Sequence, residues 1–135
     1  MSHSATRLCL SFHMVYARLR LQLDDELGTY HGIDLEDFAL LHTLAGAGDD
    51  PACLEHIASV LGSTRSDLLR RLRPLEKIGL LAFHGGIRER RIALREPGRS
   101  LVESAGATIE RVCAGPSLIG HLEQLKETLS GFAAR

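Results

Sequence analysis

Glycine cuts this sequence wherever helical periodicity would otherwise run on. Gly28 and Gly32, then Gly46, Gly62 and Gly79, each close an apolar-periodic stretch, and Gly85-Gly86 divides a later apolar run in two. A glycine just past the last periodic residue is a helix stop, and a glycine pair between apolar runs marks a hairpin turn. The chain therefore reads as several short helices and one small hairpin.

The first helix is predicted over residues 10–27, where Leu10, Met14, Val15, Leu19, Leu21, Leu23 and Leu27 recur at mostly helical intervals. Asp34 caps a second helix carrying Leu35, Phe38, Leu41 and Leu44, with Asp37 in the capping-box position. Asp50-Pro51 reads as a cap and first-turn proline opening a third helix with Leu54, Ile57, Ala58 and Leu61. Thr64 caps a fourth, whose inward stripe is Leu68, Leu72 and Leu75. Residues 80–83 and 90–94 flank Gly85-Gly86 as a hairpin with a tight glycine turn. Glu96-Pro97 opens a fifth helix reaching Cys113, and a last one uses Leu118, Ile119, Leu122, Leu125, Leu129 and Phe132.

With 135 residues, 44% of them hydrophobic, the chain is expected to be one domain with its own core. No apolar run approaches the ~18–20 residues that span a bilayer, so no membrane partner is expected. The signal-like stretch at 8–12 runs directly into His13, Arg18 and Arg20 without a small-residue cleavage site, and a cytoplasmic location is the expectation. Cys9, Cys53 and Cys113 lack any CxxC or Cys/His ligand spacing and read as small packed hydrophobes in a reduced compartment. His31 with Asp34, or His13 with His42, form no compact ligand motif, so neither a metal nor another cofactor is expected. There is no glycine-rich nucleotide loop, nucleophile elbow or HExxH pair, and Asp24-Asp25-Glu26 reads as a solvated helix end; enzymatic activity is not expected.

The formal net charge of −1 hides an uneven distribution. Residues 1–62 carry three arginines against nine acids, whereas residues 63–91 carry seven arginines and Lys77 against three acids. A basic block inside an otherwise acidic chain points to a local polyanion contact. Its helix turns leucines inward, which leaves Arg65, Ser66, Leu69, Arg70 and Arg73 on other faces, with Ser63 and Thr64 leading in. Unpaired backbone N–H groups at such a helix start attract phosphate, and a helix fits the major groove of a duplex. Arg88, Arg90 and Arg91 on the hairpin are placed to reach the adjacent minor groove or backbone.

The run from Leu61 through Gly62-Ser63-Thr64-Arg65-Ser66-Asp67-Leu68-Leu69-Arg70-Arg71-Leu72-Arg73-Pro74-Leu75-Glu76-Lys77-Ile78-Gly79 to Leu80-Leu81 resembles the recognition-helix block of the MarR family of bacterial winged helix-turn-helix regulators. Leu94-Arg95-Glu96-Pro97-Gly98-Arg99 resembles the segment that follows the wing in that family. The resemblance implies a mainly α fold: a single regulator domain over residues 1–135, with a winged helix-turn-helix DNA-binding lobe at 34–95 and dimerisation helices at 8–28 and 97–135. It further implies a homodimer on a pseudo-palindromic double-stranded DNA site, acting as a repressor released by a small aromatic or phenolic acid.

The chain also departs from the family pattern. The family wing carries an Asp-x-Arg or Asp-Arg-Arg group; here either Gly86-Ile87-Arg88 or Glu89-Arg90-Arg91 occupies that place, and both alignments stay open. Asp67 stands where threonine or serine is usual, and capping explains it locally. Leu69 replaces a residue often polar, placed to touch a thymine methyl or to pack. Pro74 removes a hydrogen bond to the Arg70 carbonyl and is expected to bend the helix, at roughly 3 kcal/mol.

For an effector, His13, Tyr16 and Arg20 share one helix face, and Tyr30, His31 and His42 are placed to join them. An arginine with hydroxyl and imidazole donors suits a carboxylate ligand; the competing reading is ordinary interhelical or dimer-interface hydrogen bonding. Cys9 and Cys113 resemble in placement the reactive pair of a peroxide-sensing branch, although no environment that lowers a thiol pKa is evident. A winged-helix protein-interaction or ligand-binding module with weak DNA binding is the functional alternative.

Overall fold

The computed structural model describes residues 4–133; residues 1–3 and 134–135, and the Phe132 side chain expected on the last helix, lie outside the described set. Along the chain run α1 (Ser4–His31), α2 (Leu35–Gly46), β1 (Ala52–Cys53), α3 (Leu54–Leu61), α4 (Arg65–Lys77), β2 (Leu81–His84), β3 (Arg91–Leu94), α5 (Glu96–Cys113) and α6 (Ile119–Ala133). They form two compact units, Ile33–Gly106 and the pair of segments Met1–Gly32 and Ala107–Arg135. The mainly α winged-helix class expected from the sequence is the class observed.

In the Ile33–Gly106 unit, α2 starts with a reciprocal capping box. The Asp37 N–H donates to the Asp34 carboxylate at 2.8 Å, and the Asp34 N–H donates to Asp37 Oδ2 at 3.2 Å. Two of the four orphan donors at the helix start are thereby satisfied. Leu40, Leu41 and Leu44 of α2 share a core with Leu54 and Ile57 of α3, Leu68, Leu72 and Leu75 of α4, and Leu81 and Ile92 of the sheet. Gly62 takes φ of 62°, the left-handed conformation that ends α3 and lets the chain turn into α4 within three residues.

The sheet is antiparallel with order β1-β3-β2. β3 lies in the middle, so Ile92 is opposite both Ala52 and Phe83. β1 replaces the expected start of the third helix. Pro51 does not occupy a first helical turn; residues 52–53 pair with β3, and α3 begins at Leu54 without a side-chain cap on Cys53. The hairpin also differs from expectation. His84 pairs with Arg91, so residues 85–90 form a six-residue loop rather than a tight two-residue turn.

The second unit contains α1, α6 and the end of α5. α1 runs through Gly28, which was expected to break it, and stops at Gly32 with φ of 70°. A mid-helix glycine costs only about 1 kcal/mol, and the next turn is anchored where His31 Nε2 and Thr108 Oγ1 meet at 2.8 Å. Arg111 pairs with Glu26 at 3.2 Å, and Ser117 Oγ donates to Gln22 Oε1 at 2.9 Å. Val15, Leu23, Leu27 and Leu118 are buried. The other side of α1 is also apolar: Leu10, Met14, Ala17 and Leu21 fall at i, i+4, i+7 and i+11, and all are exposed, Leu21 to 76%. Among the described residues no helix is long and apolar enough to cross a membrane.

Gly98, in the first turn of α5, lies against the Leu80 carbonyl: a Cβ there would sit 2.2 Å from that oxygen and 2.9 Å from Leu94 Cδ2. Alanine would gain about 1 kcal/mol of helix propensity, yet a clash with backbone cannot relax by rotating a side chain. Gly98→Ala is therefore expected to lower unfolding stability by about 1–3 kcal/mol in urea titration.

Candidate nucleic-acid interface

α4 carries the chemistry because of how its sequence divides around the cylinder. Leu68, Leu72 and Leu75 are 2%, 0% and 4% exposed and fix which way the helix faces. Ser66, Arg70, Arg73 and Lys77 recur at i, i+4, i+7 and i+11 and are all exposed on another face. Lys77 belongs to this stripe by spacing, although the sequence reading assigned it no contact. Thr64 caps the helix, its hydroxyl accepting from the Asp67 N–H at 3.1 Å, and Ser63 Oγ donates to the Thr64 carbonyl at 3.2 Å. Leu69 is half-buried. Pro74 lies inside α4, which continues through it to Lys77. The missing bond is the one to the Arg70 carbonyl, and both residues lie on the exposed side of the helix.

Charge on this surface is more constrained than the sequence count implied. Arg71, to which the sequence reading gave no role, is an anchor. Its Nη1 donates to Asp34 at 3.1 Å and to Asp37 at 3.0 Å, and its Nη2 donates to Glu36 at 2.6 Å. It ties the middle of α4 to the start of α2. Burial raises the Asp34 pKa, but the Asp37 N–H bond and Arg71 together overcome it, leaving that carboxyl below the usual range. Burial pushes the Asp37 carboxyl up, and the Arg71 and Asp34 contacts only partly offset it.

Arg65 is also engaged, with Nη1 on Glu55 of α3 and Nη2 donating to the Ile87 carbonyl at 2.8 Å. Among the described residues, the acids paired with Arg70 and Arg73 are by contrast i,i+3 neighbours on the surface, Asp67 at 3.5 Å and Glu76 at 3.3 Å. Such exposed pairs are worth about 0–1 kcal/mol and yield readily to a phosphate.

The hairpin arginines divide by position. Arg88 is exposed in the loop, Arg90 is half-buried, and Arg91 begins β3 with Nη1 donating to the Pro51 carbonyl at 3.3 Å. Of the two wing alignments, Gly86-Ile87-Arg88 is the one that falls at the tip. Phe83 connects wing and helix: the Arg73 and Arg90 guanidinium carbons lie 4.6 Å and 5.3 Å from its ring centroid. A cation over an aromatic face contributes about 0.5–1 kcal/mol at exposed sites and restricts each arginine's rotamers. The Arg90 Nε is buried and has no hydrogen-bond partner.

Residues considered for an effector are less concentrated. On α1, His13, Tyr16 and Arg20 share a face, and Arg20 pairs with Asp24 at 3.4 Å. Tyr30 faces Arg111 at 5.9 Å, and His31 meets Thr108. His42 belongs to the other unit, stacked at 5.6 Å on Phe38. Cys9 and Cys53 are exposed and Cys113 half-buried, all as free thiols, so none of the three is the buried hydrophobe expected, and Cys53 Sγ instead donates to Glu55. Burial, with the Glu110 charge, pushes the Cys113 thiol up, opposite to what thiolate reactivity needs.

Solved structures share this architecture over most of the chain. AbsC of Streptomyces coelicolor, a MarR family transcriptional regulator, matches with TM-score 0.73 and 17% identity, over 99% of this chain and 95% of its own. MepR of Staphylococcus aureus, solved with DNA, matches with TM-score 0.71 and 22% identity, over 99% and 97%. CouR of Rhodococcus jostii RHA1, solved with p-coumaroyl-CoA, matches with TM-score 0.70 and 21% identity, over 90% and 88%. The chain has the fold of the MarR-family regulators. No family model matches its sequence, and no curated protein does. At 17–22% identity the likeness is one of fold.

The Arg71 anchor sets a pH dependence. Asp34 has a depressed pKa in the folded state, so its contribution is present above about pH 4 and is lost as pH falls through the depressed value. Asp37 is raised and acts with the opposite sign. Asp34→Asn keeps a capping side chain but removes the charge facing Arg71. Urea titrations from pH 7 to pH 3 are expected to show it less stable at pH 7, by no more than about 1 kcal/mol because solvent screens a carboxylate 37% exposed, with the gap closing in acid.

Proposed function

We propose that this chain is a homodimeric, sequence-specific DNA-binding transcription regulator of MarR type, repressing from a pseudo-palindromic site and released by a small aromatic or phenolic acid. The observation that carries the reading is the outward face of α4, where Ser66, Arg70, Arg73 and Lys77 align beside a wing whose Arg88 is exposed. Each α4 supplies side chains for base edges, while Arg88 on the wing supplies charge for the flanking minor groove or backbone. Two such helices reading one site need a dimer. The exposed Leu10, Met14, Ala17 and Leu21 stripe of α1 supports it, because that seam is apolar and spaced for a second helix. His13, Tyr16, Arg20, Tyr30 and His31, all in the unit that holds α1, are the proposed effector contacts; CouR, with its bound p-coumaroyl-CoA, supports an aromatic acyl class of ligand.

One observation favours a second reading, a winged-helix interaction module with weak DNA affinity: Arg65 and Arg71 are neutralised by Glu55, Asp34, Glu36 and Asp37. Salt dependence separates the two. If Arg70, Arg73 and Arg88 of both subunits each displace a counterion, the log–log salt slope is about −5. Arg70→Ala is expected to make it shallower by about 2 and to weaken binding to a selected duplex in gel shifts. A slope near zero in the wild type favours the interaction module.

Met14→Glu and Leu21→Glu place a charge in the proposed seam. Sedimentation is expected to show the dimer dissociation constant rising by roughly a hundredfold or more in each, with helical content retained.

A further inference from the structure

We infer that Arg65 is not a DNA-reading residue but the positioning residue of the wing, clamped by Glu55 so that it holds the wing tip through the Ile87 carbonyl. The inference rests on the DNA-binding reading above and assigns a division of labour within that surface.

Three elements meet at this side chain. Arg65 is the first residue of α4, Glu55 lies in the first turn of α3, and Ile87 is in the loop between β2 and β3. A guanidinium presents its donors in a rigid planar fork, so occupying both Nη atoms fixes its plane. Glu55 takes one and the Ile87 carbonyl takes the other. Each end nitrogen then spends one of its N–H groups inside the clamp, which turns the guanidinium toward α3 and the wing.

The wing needs such a hold. Residues 85–90 lie beyond the last strand pair, and Gly85 takes φ of 78° with a Cβ position only 2.4 Å from the Glu89 carbonyl oxygen. Within the tip, the Glu89 N–H donates to the Gly86 carbonyl at 3.2 Å. The Leu54 N–H holds the base of the loop by donating to the Arg90 carbonyl at 3.2 Å, and among the described residues the bond from Arg65 is the one that joins the tip, residues 85–89, to another element. No aspartate stands at the tip, where Gly86-Ile87-Arg88 runs, so no carboxylate within Gly86–Arg88 can orient Arg88.

Glu55 is itself held. Cys53 Sγ donates to its Oε2 at 3.2 Å, leaving Oε1 for Arg65. That thiol bond, ahead of Arg65, keeps the exposed Glu55 carboxyl below its ordinary pKa. The pair is solvent-exposed and adds little to global stability. Its effect is on where Arg88 is presented.

Glu55→Ala separates the two roles by sign. If Arg65 contacted DNA directly, removing the neighbouring carboxylate would free it and tighten binding. As a clamp, losing Glu55 releases the wing and weakens binding. Arg65→Lys keeps the charge but presents one nitrogen in place of the rigid two-nitrogen fork. The full-length protein and both variants are compared by thermal melting, amide hydrogen exchange at residues 85–90, and affinity for a duplex selected from a randomised pool on the wild-type chain. The clamp predicts unchanged melting, faster exchange at 85–90 in both variants, and roughly tenfold weaker binding in both. Unchanged exchange at 85–90, or tighter binding by Glu55→Ala, overturns it. Failure of the wild-type chain to select any duplex overturns the DNA-binding reading instead, while the exchange measurement still decides whether Arg65 holds the wing.

Discussion

The surface proposed to meet DNA depends on the burial of Leu68, Leu72 and Leu75. Removing each from water is worth about 1.5–3 kcal/mol, whereas each exposed ion pair on α4 is worth about 0–1 kcal/mol. The leucines therefore decide the rotation of the helix about its axis, and the charged residues take the positions left over. Arg71 refines that choice. At the edge of the buried stripe it meets Asp34, Glu36 and Asp37, which draws the middle of α4 onto the start of α2. One basic residue in the middle of the helix is thus structural, while Arg70 and Arg73 on either side of it remain outward.

This partition changes what the basic block means. Counted along the chain, residues 63–91 form a strongly positive patch. In the folded protein Arg71 and Arg65 are engaged by acids from α2 and α3. What remains outward is narrower: Arg70, Arg73 and Lys77 on α4, Arg88 on the wing, and Arg91 at the start of β3. Phe83 steadies Arg73 from below the wing, with Arg90 against the same ring. A surface of this kind favours placement of a few cations over a diffuse field, in keeping with a chain of formal net charge −1.

Much of the fold was legible because its signals are local. The Asp34/Asp37 box, the Thr64 cap and the stop at Gly62 each act within a few residues, and each appears where the pattern put it. The misses involve partners distant in sequence. β1 is two residues long and exists because β3 offers it an edge, so no local alternation announces it. Gly28 stays helical because His31 is anchored by Thr108, seventy-seven positions away. Arg71 and Arg65 looked like any other basic side chains until α2, α3 and the wing came together around them. The wing alignment was ambiguous in the sequence for the same reason: only the β2–β3 register places Arg88 at the tip.

The account's central claim is that the outward face of α4 contacts DNA bases, and photo-crosslinking tests it most directly. A photoreactive residue in place of Ser66 would be irradiated with a selected duplex, alongside one in place of the exposed Glu103 on α5. The account predicts efficient crosslinking from position 66 to bases within the bound site and none above background from position 103. Crosslinking from 103 with none from 66, on a duplex the protein binds tightly, would contradict it.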